Sequence, residues 1–567
     1  MGEEAAIDEE GLDPRDLPEE LVPELSPEQP DDAATSLVRH SAVMSVGTAL
    51  SRLTGFLRLA AAAWALGITE TRLADAYNIA NTTPNIIYEL ALGGILSSVF
   101  VPVFVEWLKV HGKEDAWDLA RRFLTFAVVV LGVLTVAGIL LAPAIMRLYT
   151  IGITDVAQRE YVQDVGTFFL RFFVPQIMFY GIGAVATGLL NAHRRFAAPM
   201  FAPILNNVMV IATMITFGLM AGTSRGSGAF APTTAEMLLL AIGTTLGVVG
   251  MTAALWPSLR RLGFRFHWRN PRHEGVRRVA HLAKWVAIYV ATNQAGYLVV
   301  LLLAAPERGG YTAYSMAFIM FQLPHAIFAV SIFTALLPTL SSRWTDGDTD
   351  GFRSILAQGL RLTGFIVIPA ALGYLVLAAP ITRLLFQHGA TTDVSTELVA
   401  QTLQAMALGL FSFSAFQLLL RAFYAMQDTR TPATVNVGAV AVNTLANMVL
   451  VGTLGVQGLA LGLAVAYSVG AVILAALMAR RLGGLEGRRI LATLARVLVL
   501  GIVTAGAALV ASVGLGSLLG HAGLATELVQ VLGSVAVGLL VFVVTASVLR
   551  MEELTLVKTS LSSRFRT

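Results

Sequence analysis

The sequence predicts an all-α polytopic membrane protein, with 14 transmembrane helices arranged as two six-helix lobes related by pseudo-twofold symmetry, plus two extra C-terminal helices. Three observations carry that expectation. Of the 567 residues, 56% are hydrophobic and 13% charged, against about 25% charged in soluble domains. Charge-free runs such as 123–146 exceed the roughly 20 residues that cross a bilayer core as a helix. The chain also echoes itself: Phe100-Val-Pro-Val-Phe-Val-Glu-Trp107 resembles Leu336-Leu-Pro-Thr-Leu-Ser-Ser-Arg-Trp344, and Leu189-Leu-Asn-Ala192 resembles Leu419-Leu-Arg-Ala422. Each echo is offset by six hydrophobic segments, an even number, so the repeats run parallel about an axis along the membrane normal.

Taken in order, residues 1–36 are acidic and rich in proline, and read as a disordered cytoplasmic tail without the basic and apolar regions of a signal peptide. The hydrophobic segments then fall at 39–67, 73–107, 117–148, 159–190, 199–221, 233–259, 276–304, 310–342, 352–386, 393–424, 432–453, 457–480, 490–515 and 525–549. Segments 1–6 form a first lobe over 37–262 and segments 7–12 a second over 263–482. Segments 13 and 14 occupy 483–550, and 551–567 is a second cytoplasmic tail. With the N-terminus inside, the outer loops hold six of the 39 basic residues (Arg72, Arg147, Arg159, Arg225, Arg308 and Arg383). Arg52, Arg58 and Arg171 lie within helices, and the other 30 fall on the cytoplasmic side, as the positive-inside rule requires. The chain has no cysteine, which removes disulfide and thiol chemistry. It has no HExxH, GxSxG or phosphate-loop pattern, so it is not expected to be an enzyme, and its net charge of +3 gives no reason to expect nucleic acid.

Segment 2 is anomalous. Asp75, Asn78, Thr82, Asn85 and Glu89 recur at steps of three and four, which places them on one helix face among apolar neighbours. Such a stripe must face protein or a cavity, because polar groups are costly against lipid. Segment 1 adds Arg52 and Arg58, six apart and therefore about 120° around the helix from each other. Both could pair with Asp75 or Glu89, but two arginines beside a polar stripe exceed one structural pair. They fit a cationic cavity for an oxyanion, since guanidinium stays charged and presents a fork of donors. Segment 8 offers Tyr311, Ser315, Gln322 and His325 from the other lobe, His325 reading as an interior hydrogen-bonded residue. Arg171 reads first as a structural partner of Asp164. Asn436, Asn443 and Asn447 read as interhelical hydrogen bonding.

Together, Ser51-Arg-Leu-Thr-Gly-Phe-Leu-Arg58, Asp75-Ala-Tyr77, Pro84-Asn85, Phe100-Val-Pro-Val103, Leu190-Asn-Ala192 and Leu420-Arg-Ala-Phe-Tyr-Ala-Met-Gln-Asp-Thr-Arg-Thr-Pro432 resemble the MurJ/MviN family of lipid II flippases, within the multidrug/oligosaccharidyl-lipid/polysaccharide exporter superfamily. The resemblance covers about residues 37–550, and this version looks like the actinobacterial branch. It implies a multi-pass protein of the bacterial cytoplasmic membrane, with a groove beside helices 13 and 14 for the polyprenyl tail. The implied partners are undecaprenyl-diphosphate-linked muropeptide (lipid II) and membrane lipids, with a monomeric carrier. Many relatives place two arginines where this chain has Tyr88-Glu89, and an Asp-Arg pair where it has Phe318-Ile319. Asn443 and Asn447 resemble part of a sodium site of some relatives, but no aspartate accompanies them, so no metal and no cofactor are expected.

The expected function is the flipping of lipid II from the cytoplasmic to the outer leaflet by alternating access, for cell-wall biosynthesis. The expected substrate-binding residues are Arg52, Arg58, Asp75, Asn78, Asn85, Glu89 and Gln322, with the arginines on the diphosphate and Asp75 orienting an arginine. The alternatives are a flippase for another polyprenyl-diphosphate oligosaccharide, a multidrug antiporter, which should have a carboxylate-dominated cavity, or a cell-wall regulatory protein without transport.

Overall fold

The structure is a computed structural model and describes residues 30–93, 100–193, 195–222, 230–520 and 523–556. Every regular element among them is helical. The first half comprises α1 (Pro30–Leu66), α2 (Leu73–Tyr88), α3 (Val101–Val110), α4 (Gly112–Tyr149), α5 (Val156–Phe173), α6 (Gln176–Ala192), α7 (Ala197–Ala221), α8 (Thr234–Ala253) and α9 (Trp256–Arg261). The second comprises α10 (Glu274–Ala304), α11 (Gly310–Pro324), α12 (Val330–Thr345), α13 (Thr349–Phe386), α14 (Asp393–Ala407), α15 (Leu410–Ala425) and α16 (Arg430–Leu482), followed by α17 (Gly487–Leu519) and α18 (Leu524–Val548). Most of the expected N-terminal tail and residues 557–567 lie outside the described residues, while α1 begins at Pro30, inside the stretch expected to be a tail.

Among the described residues nine helices are long and apolar enough to cross a membrane, or ten if α14 and α15, bent by 49°, form one span. The expected count of 14 adds α1, the α2–α3 run and α10 to these, and divides α16 at Gly455. Helices α1–α9 pack chiefly on one another, as do α10–α16, while α17 and α18 pair and lean on α13.

The internal echo has a structural counterpart. Segment 2 carries a π-helical turn at Glu89–Gly93 after α2, and segment 8 carries one at His325–Ala329 after α11. Segments 4 and 10 are both broken midway. Pro175, which has no N–H to continue the ladder, separates α5 from α6, and Leu408-Gly409 separates α14 from α15. The same irregularities recur six segments apart, and π turns cluster where helices serve a function.

The first bundle is held by aromatic packing on α2, α4 and α5. Phe100 stacks on Phe123 with centroids 4.3 Å apart, and Tyr77 meets Phe169 and Phe173 edge-on at 5.6 and 5.4 Å, the geometries that ring quadrupoles favour. Local signals set the helix ends: Thr233 and Glu236 form a reciprocal capping box at the start of α8, and Asp155 caps α5. Gly455 turns α16 at φ 57° and ψ −139°, close to a region open in practice only to glycine, and a Cβ there would stand 2.6 Å from Glu307 Oε2. Gly455→Ala is therefore expected to cost about 1–3 kcal/mol and to lower the thermal unfolding midpoint, whereas Gly452→Ala, which would meet nothing within 4 Å, should not. Equal midpoints for the two variants would refute this reading of the turn.

Candidate functional site

The polar stripe of α2 divides into two parts with different roles. Its upper half is a seam between the bundles. Asp75 is 1% exposed; its Oδ1 accepts from Thr312 Oγ1 at 2.9 Å, and its Oδ2 accepts from the Gly309 N–H at 2.8 Å and Arg72 Nη1 at 3.3 Å. Asn78 Nδ2 donates to Thr312 Oγ1 at 3.1 Å, and Tyr311 donates its hydroxyl to Thr82 at 2.8 Å. Gly309 is the residue before α11, so Asp75 caps the N-terminus of a helix of the other bundle, where a carboxylate is favoured. Arg72 does the converse: Nη1 donates to the carbonyls of Ala305 and Glu307 at 3.0 and 3.1 Å and Nη2 to that of Pro306 at 2.9 Å, just past the C-terminus of α10. One buried ion pair thus grips both ends of the turn between α10 and α11.

This corrects the expected role of Asp75. It does not orient Arg52 or Arg58; its arginine is Arg72, and its carboxylate is filled by partners at the seam. Sequence reading counted Arg72 only as an outer-loop charge, although its spacing three residues before Asp75 was a usable signal.

The same end is closed by Glu70. Its Oε1 accepts from the Thr392 N–H and hydroxyl and from Ser395 Oγ, all at 2.7 Å, and its Oε2 accepts from the Ile68 N–H at 2.6 Å. The Ala390 N–H donates to the Trp64 carbonyl at 3.0 Å, Arg308 donates to the Glu70 carbonyl, and the Val456 N–H donates to Glu307 at 2.8 Å. Burial pushes the Glu70 carboxyl up, but the donors from Ser395, Ile68 and Thr392 outweigh it and hold the group below the ordinary 4.5. A depressed carboxylate stabilises the state that depresses it at pH above the ordinary value, and that stabilisation is lost as pH falls through the lowered one. Closure is therefore expected to be constant from pH 8 to about pH 5 and to weaken only in stronger acid. Amide exchange at Ala390, whose N–H donates to the Trp64 carbonyl at this same end, measured in the unaltered chain against pH and corrected for the intrinsic exchange rate, would show it; a loss of protection between pH 8 and 6 would sink the assignment to Glu70.

The lower half of the stripe has no such partners. Asn85 is exposed and Glu89, the first residue of the π turn, is half-buried; neither side chain bonds any described residue. The bundles also touch along α10, where Arg278 Nη1 meets Glu106 Oε1 at 3.0 Å, and at Phe56 of α1, whose ring lies 6.3 Å from that of Phe386; on the N-terminal side of Phe56, α1 is largely exposed. Arg52 is exposed there, Arg58 and Gln322 are half-buried, and none of the three bonds a described residue. At 1.5 Å per residue, Arg58, Asn85, Gln322, Arg52 and Glu89 all lie about 12–24 Å below the closed end. Arg52 and Arg58 form no ion pair with Asp75 or Glu89.

The second bundle supplies a cationic group that the sequence reading missed, Arg421. His325, in the π turn, is bonded to Ser414 Oγ at 3.0 Å and packs on Phe413 at 4.6 Å. Arg52 from the first bundle and Arg421 from α15 both act on it electrostatically, and Arg421 lies over the Phe333 ring at 5.6 Å, a cation–π contact. The expected cations Arg52 and Arg58 belong to the first bundle, and Arg421 adds one from the facing bundle. An arginine inside an apolar segment was the available signal, and assigning it to the cytoplasmic loops concealed it. At the position of the departure noted above, Tyr88 turns to Tyr180 at 5.8 Å, and Arg58 acts on Tyr77 and Tyr180 within its own bundle.

Pro324, next to His325, also lines an apolar groove of about 330 Å³ walled by α13, α17 and α18, with Tyr374, Gly538 and Phe542 among its residues. The groove and the cationic cluster therefore meet at one π turn. The asparagines serve structure: Asn436 Nδ2 donates to Asn293 Oδ1 at 3.2 Å, and the Asn443 and Asn447 amides pair at 3.0 Å. Among the described residues no group of three histidine, aspartate or glutamate side chains is placed to hold a metal ion.

Comparisons with known proteins bear on the family and the fold. A family model described as "Lipid II flippase MurJ" matches residues 63–561. The chain is 29% identical over 449 residues to a lipid II flippase of Burkholderia cenocepacia, covering 77% of this chain and 83% of the relative. It is 30% identical over 448 residues to a probable lipid II flippase of Rhizobium meliloti, covering 79% and 81%. Its fold is similar to a solved flippase structure in an inward closed conformation, with a TM-score of 0.70 at 19% identity over 90% of this chain and 98% of the other.

Proposed function

This chain belongs to the MurJ family of lipid II flippases, and on that premise we propose how it moves lipid II from the cytoplasmic to the outer leaflet by alternating access. The diphosphate sits among Arg52, Arg58 and Arg421, the polyprenyl tail lies in the groove along α13, α17 and α18, and the Arg72–Asp75 and Glu70 contacts are the outer gate. The observation that carries this reading is the approach of two arginines, Arg52 from the first bundle and Arg421 from the second, to His325 beside an apolar groove. Asn85, Glu89 and Gln322 line the path of the sugar and peptide, while Asn78 belongs to the gate. With the basic loops inside, the end opposite the gate faces the cytoplasm, both chain termini with it, and the gate faces outside. The carrier works as a monomer of two six-helix lobes with 14 spans.

In the loaded state with the gate shut, the head group enters from the cytoplasm and the fork of each guanidinium offers paired donors to phosphate oxygens. Opening the gate and closing the cytoplasmic side then exposes the head group outside. Each net negative charge carried outward gains about 2.3 kcal/mol per 100 mV of inside-negative potential, so the potential favours export where the arginines stay in place. Reconstituted lipid II translocation tests the assignment. Arg58→Ala is expected to reduce the rate tenfold or more, since a hydrogen bond to a charged group contributes about 1.5–3 kcal/mol, and Arg58→Lys to restore part of it. Full activity in the alanine variant would remove Arg58 from the site.

A further inference from the structure

A second cationic pocket lies away from the substrate path, in the first bundle between α4 and α5. Arg147, in the last turn of α4, and Arg171, near the end of α5, line a cavity of about 480 Å³ with Gln163, Asp164 and Thr167. The two helices run antiparallel in a fixed register, Gly138 facing Val174 and Gly166 facing Met146. That register sets Arg171 level with Leu141, about 9 Å deeper than Arg147 along α4. Both guanidiniums are exposed, and neither pairs with Asp164 or bonds any described residue. This overturns the sequence reading of Arg171 as the structural partner of Asp164.

The pocket faces lipid. Val133, Val136 and Leu140 are 64%, 59% and 73% exposed, and their spacing continues through Ala144 to Arg147 on one face of α4. Arginine on a lipid-facing surface is costly unless an anion accompanies it. Two guanidiniums and one carboxylate leave a formal charge of +1, which one phosphodiester neutralises.

We propose that the α4–α5 groove binds the phosphodiester head group of an anionic phospholipid, in the leaflet at the closed end. Arg147 sits at the boundary of the charge-free run and meets the phosphate at head-group depth. Arg171 reaches up to it from below, extending along apolar surface as long cationic side chains do. Asp164 keeps the pocket at a single net charge, so a monoanionic phosphodiester suits it better than a diphosphate. The site needs only that the chain is membrane-embedded, and it stands apart from the substrate assignments above.

Lipid retention by the purified full chain tests the proposal independently of transport. The protein, equilibrated with mixed phosphatidylglycerol and phosphatidylcholine and then stripped with detergent, should retain phosphatidylglycerol selectively. Each arginine is expected to account for about fivefold in retention, so Arg147→Gln/Arg171→Gln should lose most of it. Arg147→Lys/Arg171→Lys should keep much of it, which guards against simple misfolding, and Asp164→Asn should retain more than the unaltered chain. Equal retention of phosphatidylcholine, undiminished retention in the double glutamine variant, or displacement by soluble glycerol phosphate as efficient as by the lipid would each overturn it. Displacement from this groove by lipid II at lower concentration than by phosphatidylglycerol would also overturn it, making the groove a substrate station. Unchanged translocation in the glutamine variant would leave the lipid site standing, and lost retention leaves the gate and cavity assignments untouched.

Discussion

Asp75→Asn is expected to abolish rescue of a flippase-depleted strain, although the carboxylate faces the seam rather than the cationic cluster. The substitution is nearly isosteric, so the volume at the seam is preserved; what changes is charge and one of the two acceptors, since the amide turns an NH2 toward groups that donate. Arg72, 7% exposed, would keep its carbonyl partners and Gln158 and lose the Asp75 carboxylate. Removing one partner of a buried ion pair typically costs about 3–5 kcal/mol, which moves a two-state equilibrium more than a hundredfold. The loss falls on the closed state alone, because the cap on α11 and the grip past the end of α10 exist only while the bundles meet. The readout is the Thr69→Cys/Ser395→Cys pair, whose native hydroxyls lie 2.7 Å apart. Disulfide yield should fall at least tenfold when Asp75→Asn is added. If yield and rescue both persist, the buried pair is packing and not a gate.

The fold was largely legible in the sequence because membrane spans are written in hydropathy and topology in basic loops. The echo between segments 2 and 8 was legible too, and the paired π turns give it a physical form. The polar stripe was visible as a stripe, but its division was not. Asp75, Asn78 and Thr82 have the same spacing as Asn85 and Glu89; only the placement of Gly309, Tyr311 and Thr312 opposite the first three separates gate from cavity. That placement depends on how two bundles dock, a contact across more than 200 residues of chain with no local signature. Arg72 and Arg421 were misread for a related reason. Charge counting treats an arginine as a label of side, and both are interior groups held by partners remote in sequence. Arg171 failed in the opposite direction: Asp164 precedes it at helical spacing, yet the two do not pair.

Arg421→Ala should reduce lipid II translocation about as much as loss of Arg52, about 10- to 100-fold, the range for a charge-assisted contact to phosphate. Arg421 comes from α15, Arg52 from α1, and both act on His325 in the π turn. If one diphosphate is held between them, removing either leaves it half-gripped, and removing the second then costs less than it does alone. A double-mutant cycle on Arg52→Ala and Arg421→Ala should therefore be clearly sub-additive, whereas two residues with separate structural roles would add. Arg421→Lys should keep its charge but lose the fork and the flat contact with Phe333, and so should recover only part of the rate. His325→Gln keeps a donor and acceptor for Ser414 and separates the histidine's role from its position. Additive losses in the cycle, or full translocation by Arg421→Ala, would return the second bundle to a passive wall. Sub-additivity that persists in the His325→Gln background, where coupling through the shared histidine is removed, would mean that the substrate itself bridges the two bundles. Closing them around it is then how a head group held from both sides can be carried across without first being released.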